Sequence, residues 1–187
     1  MDNSTTCRLL SDVYDAVAVE DGWILALTAV IRAIDGDAGC LCWQPTAASP
    51  LAEIASVGLD VSAFLNRYRG EVERLNIPFY SLFRDQPAGR FVSFGTRAFE
   101  PDYRRSIFFN EWAKPLGFGD VAGCHLIRDS SLYGWLSIRR DHAKGPFPND
   151  KMELGRALMP HLARALKLWI RLHSMQVAEY WICSPVQ

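Results

Sequence analysis

The chain has 187 residues, close to one domain with room for an appended helix, and a chain of this size buries roughly 70% of its unfolded surface without staples. With 49% hydrophobic and 22% charged residues it is an ordinary globular composition, and a net charge of -1 offers no global attraction to nucleic acid or to an anionic membrane. Cys7, Cys40, Cys42, Cys124 and Cys183 are odd in number and follow no secretory signal, and the longest apolar run is too short to span a bilayer. A soluble, cytoplasmic protein is expected.

In chain order, Leu9, Leu10, Val13, Tyr14 and Val17 recur at helical spacing, with Ser4 or Ser11 as a cap. Asp21 offers an N-cap for a second helix, Gly22 to Ile34, apolar nearly all round and suited to deep packing on a sheet. Asp35-Gly36-Asp37 ends it. Gly39 to Gln44 and Leu51 to Val57 read as a hairpin across the turn-rich residues 45–50, and Gly58 closes its second strand. A helix is expected from Asp60 or Ser62 through Phe64, Leu65, Tyr68 and Val72. The aromatic stretch Ile77 to Leu82 then meets the breaker Asp85 to Gly89, and Arg90 to Phe94 is a short strand.

Asp102 to Lys114 is helical by pattern and is stopped by Pro115 and Gly117. Val121 to Ile127 and Tyr133 to Arg139 form a second hairpin, and a last helix runs from near Asn149 towards Ser174 or beyond. Two hairpins in one antiparallel sheet, with helices packed on it, make an α+β domain.

Ser106-Ile107-Phe108-Phe109-Asn110-Glu111-Trp112-Ala113-Lys114-Pro115-Leu116-Gly117 resembles an aromatic, Asn, Trp, Pro-x-Gly segment in the N-terminal sensor domain of LuxR-family helix-turn-helix regulators. Arg139 or Arg140 followed by Gly145-Pro146-Phe147-Pro148-Asn149-Asp150 matches its turn into the last sensor helix. Leu158-Met159-Pro160-His161-Leu162-Ala163-Arg164-Ala165 matches the signature of that helix, and Tyr14-Asp15-Ala16 with Trp23 matches the usual opening. The resemblance spans about residues 12 to 173. It implies a GAF/PAS-like antiparallel sheet flanked by helices with a long C-terminal helix, in a cytoplasmic signal-transduction role. DNA contact would come only through a helix-turn-helix domain that these residues do not contain.

The division expected is a GAF/PAS-like sensor over residues 1–148 and a dimerisation and signalling helix with its tail over 149–187. On a helical wheel Leu158, Leu162, Ala165, Trp169 and Leu172 line one seam, spaced 4, 3, 4, 3 and opposite Arg156, Arg164, Lys167 and Arg171. A homodimer contact is one reading of the seam; a terminal helix lying across its own sheet is the other. To Ser174 the helix would be roughly 40 Å long, with a kink near Pro160.

A small-molecule ligand is expected where aromatics converge on a few polar groups. Trp43, Phe79, Tyr80, Phe83, Phe108, Trp112, Cys124 and Trp135 are the candidates, although at any one of these positions core packing is the stronger reading. Cys40-x-Cys42 on a strand points two thiols to one face, read as buried structural thiols because a metal site needs further ligands. No nucleophile elbow, zinc-helix motif, phosphate loop or dinucleotide fingerprint is present, so no enzyme, catalytic residue, metal or cofactor is expected. A protein-interaction module that hetero-dimerises with a full-length regulator without ligand is the alternative to a ligand sensor.

Overall fold

In a computed structural model, residues 3–44, 52–60, 85–95, 100–107, 109–129 and 132–183 are described. Helix α1 (Asn3–Asp15) turns Leu9 and Val13 inward, and Ala16 continues that buried face. Ser4 and Ser11 lie within the helix rather than at its start, and the Ser11 hydroxyl donates to the Asp15 carboxylate at 3.3 Å. Helix α2 (Gly22–Ala33) starts after Asp21 as expected, but not by side-chain capping: Asp21 is left-handed, φ 56°, and its side chain makes no cap bond. Close approach governs this corner instead, because a Cβ on Gly22 would lie 2.6 Å from the Ala16 Cα. Helix α2 buries Trp23, Ala26, Leu27, Val30 and Ile31 while Ile24 and Leu25 stay exposed, so only one face meets the sheet.

Asp35, at φ 61°, turns the chain out of α2 into β1 (Ala38–Gln44), which forms a hairpin with β2 (Ala52–Val57). The strand expected over 90–94 is reduced to β3 (Val92–Ser93). Strands β4 (Phe118–Arg128) and β5 (Tyr133–Asp141) make the second hairpin; β4 is longer at both ends than its apolar pattern suggested, and β5 starts at Tyr133 as expected but runs two residues further. The five strands pair antiparallel in the order β2-β1-β5-β4-β3. The connection at 45–50, the helix expected from Asp60 or Ser62 to Val72, and the stretch Ile77 to Leu82 fall largely or wholly outside the described residues.

The single helix expected over 102–114 is broken. Helix α3 (Pro101–Arg105) stops at Ser106, whose backbone is extended, and a π-helical turn follows at Phe109–Ala113. Side chains take over the backbone bonds that a continuous helix would have made. The Ser106 hydroxyl accepts from the Phe109 amide at 3.1 Å, and the Asn110 amide group donates to the Arg104 and Ser106 carbonyls at 2.9 and 3.0 Å. The amide of Lys114 donates to the Phe109 carbonyl, closing the wide turn.

Helix α4 (Asn149–Cys183) has 35 residues, about 52 Å at 1.5 Å per residue, and remains helical through Pro160. Together with α1 and α2 it packs on one face of the sheet around Val13, Val30, Leu41, Leu136, Leu158 and Leu166. Gly155 lets it seat on Phe91, since a Cβ there would lie 2.4 Å from the Phe91 ring.

Two polar clamps fix the edges of this layer. The fully buried Asp120 carboxylate accepts from the Ser93 hydroxyl (2.8 Å) and from the amides of Gly95 (2.8 Å), Val121 (2.7 Å) and Phe147 (3.0 Å). Arg140 pairs with Asp35 at 2.7 Å, donates to the Gly145 carbonyl at 3.1 Å and lies over the Phe147 ring. Replacing Asp120 with alanine strands several donors in the interior and is expected to lower the unfolding free energy by about 3–5 kcal/mol. Urea denaturation monitored by tryptophan fluorescence checks it; an unchanged midpoint would mean those donors find other acceptors.

Candidate functional site

Strand alternation gives the sheet a second face, turned away from α1, α2 and α4. Cys40 and Cys42 on β1, His125 on β4, and Trp135, Ser137 and Arg139 on β5 occupy it, in register: Cys40 lies opposite Ser137, Cys42 opposite Trp135, and His125 opposite Trp135 from the other side. The Trp135 indole extends over Gly123, where a Cβ would approach it to 2.8 Å, and the His125 ring lies 4.9 Å from Trp135 and 5.4 Å from Tyr133. Glycine at 123 thus makes room for a broad aromatic surface.

Three polar residues on this face are nearly removed from water: His125 and Ser137 are each 5% exposed and Arg139 7%. The Arg139 guanidinium lies 5.0 Å from the Phe118 ring centre. Burial lowers its pKa, opposed by the Cys40 and Cys42 thiols and the Tyr103 phenol, and a guanidinium keeps its proton in such surroundings. Tyr103 of α3 packs between Phe94 (5.0 Å) and Phe109 (5.3 Å), and burial raises its pKa while Arg139 partly offsets the rise. A cation, an imidazole and a hydroxyl set among ring faces suit a small molecule with a flat or apolar body and hydrogen-bonding substituents.

Of the candidates read from the sequence, Trp135 lies on this face. Trp43 and Cys124 lie on the other, because each is offset by one position from the residues that line the site. Trp43 packs edge-on to Trp169 of α4, with centroids 5.7 Å apart, and Cys124 belongs to the helical core, where burial pushes its thiol up to about 12. Phe79, Tyr80, Phe83 and Phe108 fall outside the described residues, as does the side chain of Trp112. Sequence reasoning did not choose His125, Ser137 or Arg139. The available signal was polar side chains at every second position of a strand long enough to be central. Among the described residues no group of three or more His, Cys, Asp or Glu is arranged to hold a metal ion.

The seam on α4 divides. Leu158, Leu162 and Ala165 are buried in the chain's own core, so this part of the expected dimer contact is already covered by α1, α2 and the sheet. Trp169 is half-buried, edge-on to Trp23 (6.5 Å) and Trp43, with the His173 ring 4.1 Å away. Leu172 is 47% exposed and Leu168 46%. A groove of about 600 Å³ runs here between the α1–α2 turn and α4, lined by Val17, Trp23, Ile24, Ile54, Trp169 and Leu172 among others. Arg156, Arg164, Lys167 and Arg171 face solvent. Trp169→Ala is expected to cost about 2–4 kcal/mol of stability, whereas Leu172→Ala stays within about 0.5 kcal/mol. Chemical denaturation of both variants checks that the helix changes from core to surface between these positions.

No protein-family model matches the sequence, and no curated protein matches it. Solved structures do match the fold. The LBD domain of VqsR from Pseudomonas aeruginosa superposes with a TM-score of 0.63 at 14% identity, over 90% of this chain and 95% of that one. The N-acylhomoserine lactone-dependent LuxR-family transcription factor CepR2 from Burkholderia cenocepacia superposes at 0.62 and 18% identity, over 89% and 96%. The GAF domain of a phosphoenolpyruvate-protein phosphotransferase from Coxiella burnetii superposes at 0.54 and 15% identity, over 92% and 99%. The chain therefore has the α+β fold that GAF domains share with the autoinducer-binding domains of LuxR-type regulators, the fold its sequence resemblance implied.

Proposed function

We propose that this protein is a ligand-sensing regulatory domain of LuxR type, which binds a small molecule on the sheet face carrying His125, Trp135, Ser137 and Arg139. The observation that carries this reading is three buried polar side chains grouped on the face opposite the helical core, beside the half-buried Trp135 and Tyr133 rings, the Trp135 indole lying over Gly123. A guanidinium and an imidazole set beside aromatic rings can bond the polar substituents of a ligand whose flat or apolar body the rings cover. Residues 1–148 would hold the ligand and 149–187 would carry the output. No helix among the described residues is long and apolar enough to cross a membrane, in keeping with a cytoplasmic regulator that reaches DNA through a separate helix-turn-helix domain.

A ligand at a hundred times its Kd stabilises the folded state by about 2.7 kcal/mol. A thermal-shift screen of acyl-homoserine lactones and small aromatic acids is expected to give at least one compound that raises the melting temperature of the protein but not of the Trp135→Ala variant. Equal shifts in the two proteins, or none across the screen together with no small molecule retained in native mass spectra of protein from its host, would overturn the assignment.

A dimer contact is the second part of the proposal, moved from the buried seam to its exposed continuation. Leu168 and Leu172 stand one helical turn apart at the solvent side of α4, and eleven further helical positions follow to Cys183. A second copy of α4 is the occupant that an isologous contact requires. Light scattering is expected to show a dimer that Leu168→Glu with Leu172→Glu converts to a monomer. A monomeric parent would instead leave the hetero-dimeric interaction module, which a co-purifying full-length regulator would identify.

A further inference from the structure

Exposed apolar side chains and a division of charge coincide at one place, the groove of about 600 Å³ beside α4. Val19 on the α1–α2 turn, Ile24 on α2 and Leu172 on α4 line it and are all exposed, and the exposed Leu168 stands one turn before Leu172. The lining also holds Glu20 and Asp21 and, among the described residues, no lysine or arginine. From Leu9 to Ile31 the chain has four acidic residues, Asp12, Asp15, Glu20 and Asp21, and no basic one. Helix α4 is the reverse. From Leu154 to His173 it has Arg156, Arg164, Lys167 and Arg171 and no acidic residue.

The two sets of charges do not pair within one molecule. Arg164, Leu168, Arg171 and Leu172 fall within about 100° of one another around α4. The two arginines point away from the buried Leu158, Leu162 and Ala165, and the two leucines lie between them and that buried face. Among the described residues Glu20, Asp21 and Arg164 take part in no ion pair. An acidic, apolar groove and a basic, apolar helix stripe are thus complementary surfaces of the same chain.

We propose that the groove between the α1–α2 turn and α4 is the seat for α4 of a second copy of this chain. Leu168 and Leu172 of each copy enter against Val19 and Ile24 of the other, and Arg164 and Arg171 meet Glu20 and Asp21. This inference rests on the α4 dimer proposed for this protein and names the surface against which each α4 lies. The contact is isologous, so the acidic corner of each copy meets the basic stripe of the other and both halves close together. Apolar burial supplies the affinity, since exposed ion pairs contribute little each. The charges fix the register, because like charges oppose any arrangement that sets two acidic corners against each other. Trp169 also lines the seat, so the partner helix bears on the last anchored turn of α4.

Charge exchange tests it, read by light scattering on the full chain. Glu20→Lys with Asp21→Asn reverses the corner, asparagine keeping the left-handed backbone that Asp21 holds at φ 56°. Arg164→Glu with Arg171→Glu reverses the stripe. All four side chains are exposed, so the circular dichroism of each variant is expected to match that of the parent. Each variant alone is expected to dimerise at least about tenfold more weakly than the parent. An equimolar mixture of the two is expected to recover a heterodimer of near-parental strength, because one half of its contact keeps the native charges and the other has both signs exchanged. A dimer that either variant leaves at parental strength, or two weakened variants that fail to pair when mixed, would overturn this seat. If Leu168→Glu with Leu172→Glu still gives a monomer in that case, the α4 dimer stands without it. A monomeric parent overturns both.

Discussion

The Asp120 carboxylate is the constraint on which the helical layer depends. Four donors from three separated segments converge on it: Ser93 at the end of the short strand β3 and Gly95 just beyond it, Val121 on β4, and Phe147 at the entry to α4. Each donor would otherwise be a polar group without water in or near the interior, at a cost of about 1–3 kcal/mol apiece. A neutral acceptor could not replace it, because one carboxylate offers lone pairs in enough directions to serve all four. With β3 and the start of α4 pinned to the same residue, Phe91 is held against Gly155, and the first turns of α4 can only lie across the sheet. The apolar contacts from Leu158 to Leu166 then follow from position rather than create it.

Next to this clamp, strand alternation divides two adjacent arginines between two tasks. Arg140 turns to the helical side, where it joins the end of α2 at Asp35 to the loop at Gly145 and covers Phe147. Arg139 turns to the other side and stands among thiols, a phenol and the Phe118 ring. Arg140 closes a structural circuit of carbonyls and a carboxylate. On the other side of the sheet, Arg139 puts positive charge where the covering residues are aromatic and polarizable. The same two-residue period separates Cys124 from His125 and Trp43 from Cys42. One sheet therefore carries a sealed apolar face and a chemically varied one.

Much of the fold was legible because its signals are local. Alternating apolar runs between turn residues located both hairpins, and the apolar stripe after Asp21 located α2. Segments that carried the family resemblance meet in space: the Tyr14 hydroxyl of the opening lies 3.1 Å from His161 Nδ1 of the last helix. The break at Ser106 was not legible, since Ser and Asn can sit in a helix or replace its backbone bonds, and only tertiary context selects between them. The side of the sheet taken by Trp43, Cys124 and Trp135 was equally hidden. All three are acceptable core residues, and which face they take depends on a register that no short window contains. Asp120 gave no local signal either, because its partners are 25 and 27 residues away along the chain apart from its own neighbour Val121.

If the varied face holds a ligand as proposed, the arrangement of the two faces sets how its signal would travel. Helix α4 touches the sheet on one side while that face lies on the other, so a ligand there would not meet α4 across the sheet. A change must pass through a strand one residue thick. Strand β1 is suited to this because Cys42 lies on the site face and the adjacent Trp43 on the helical face, edge-on to Trp169. Trp169 in turn sits where α4 leaves the core, between the buried Ala165 and the exposed Leu172. A small rotation of that strand therefore acts on the helix at its last anchored turn, where the lever towards Cys183 is longest and the opposing packing least. Interiors packed to crystal density do not absorb such displacements gradually, so the helix would be shifted between discrete seats rather than bent.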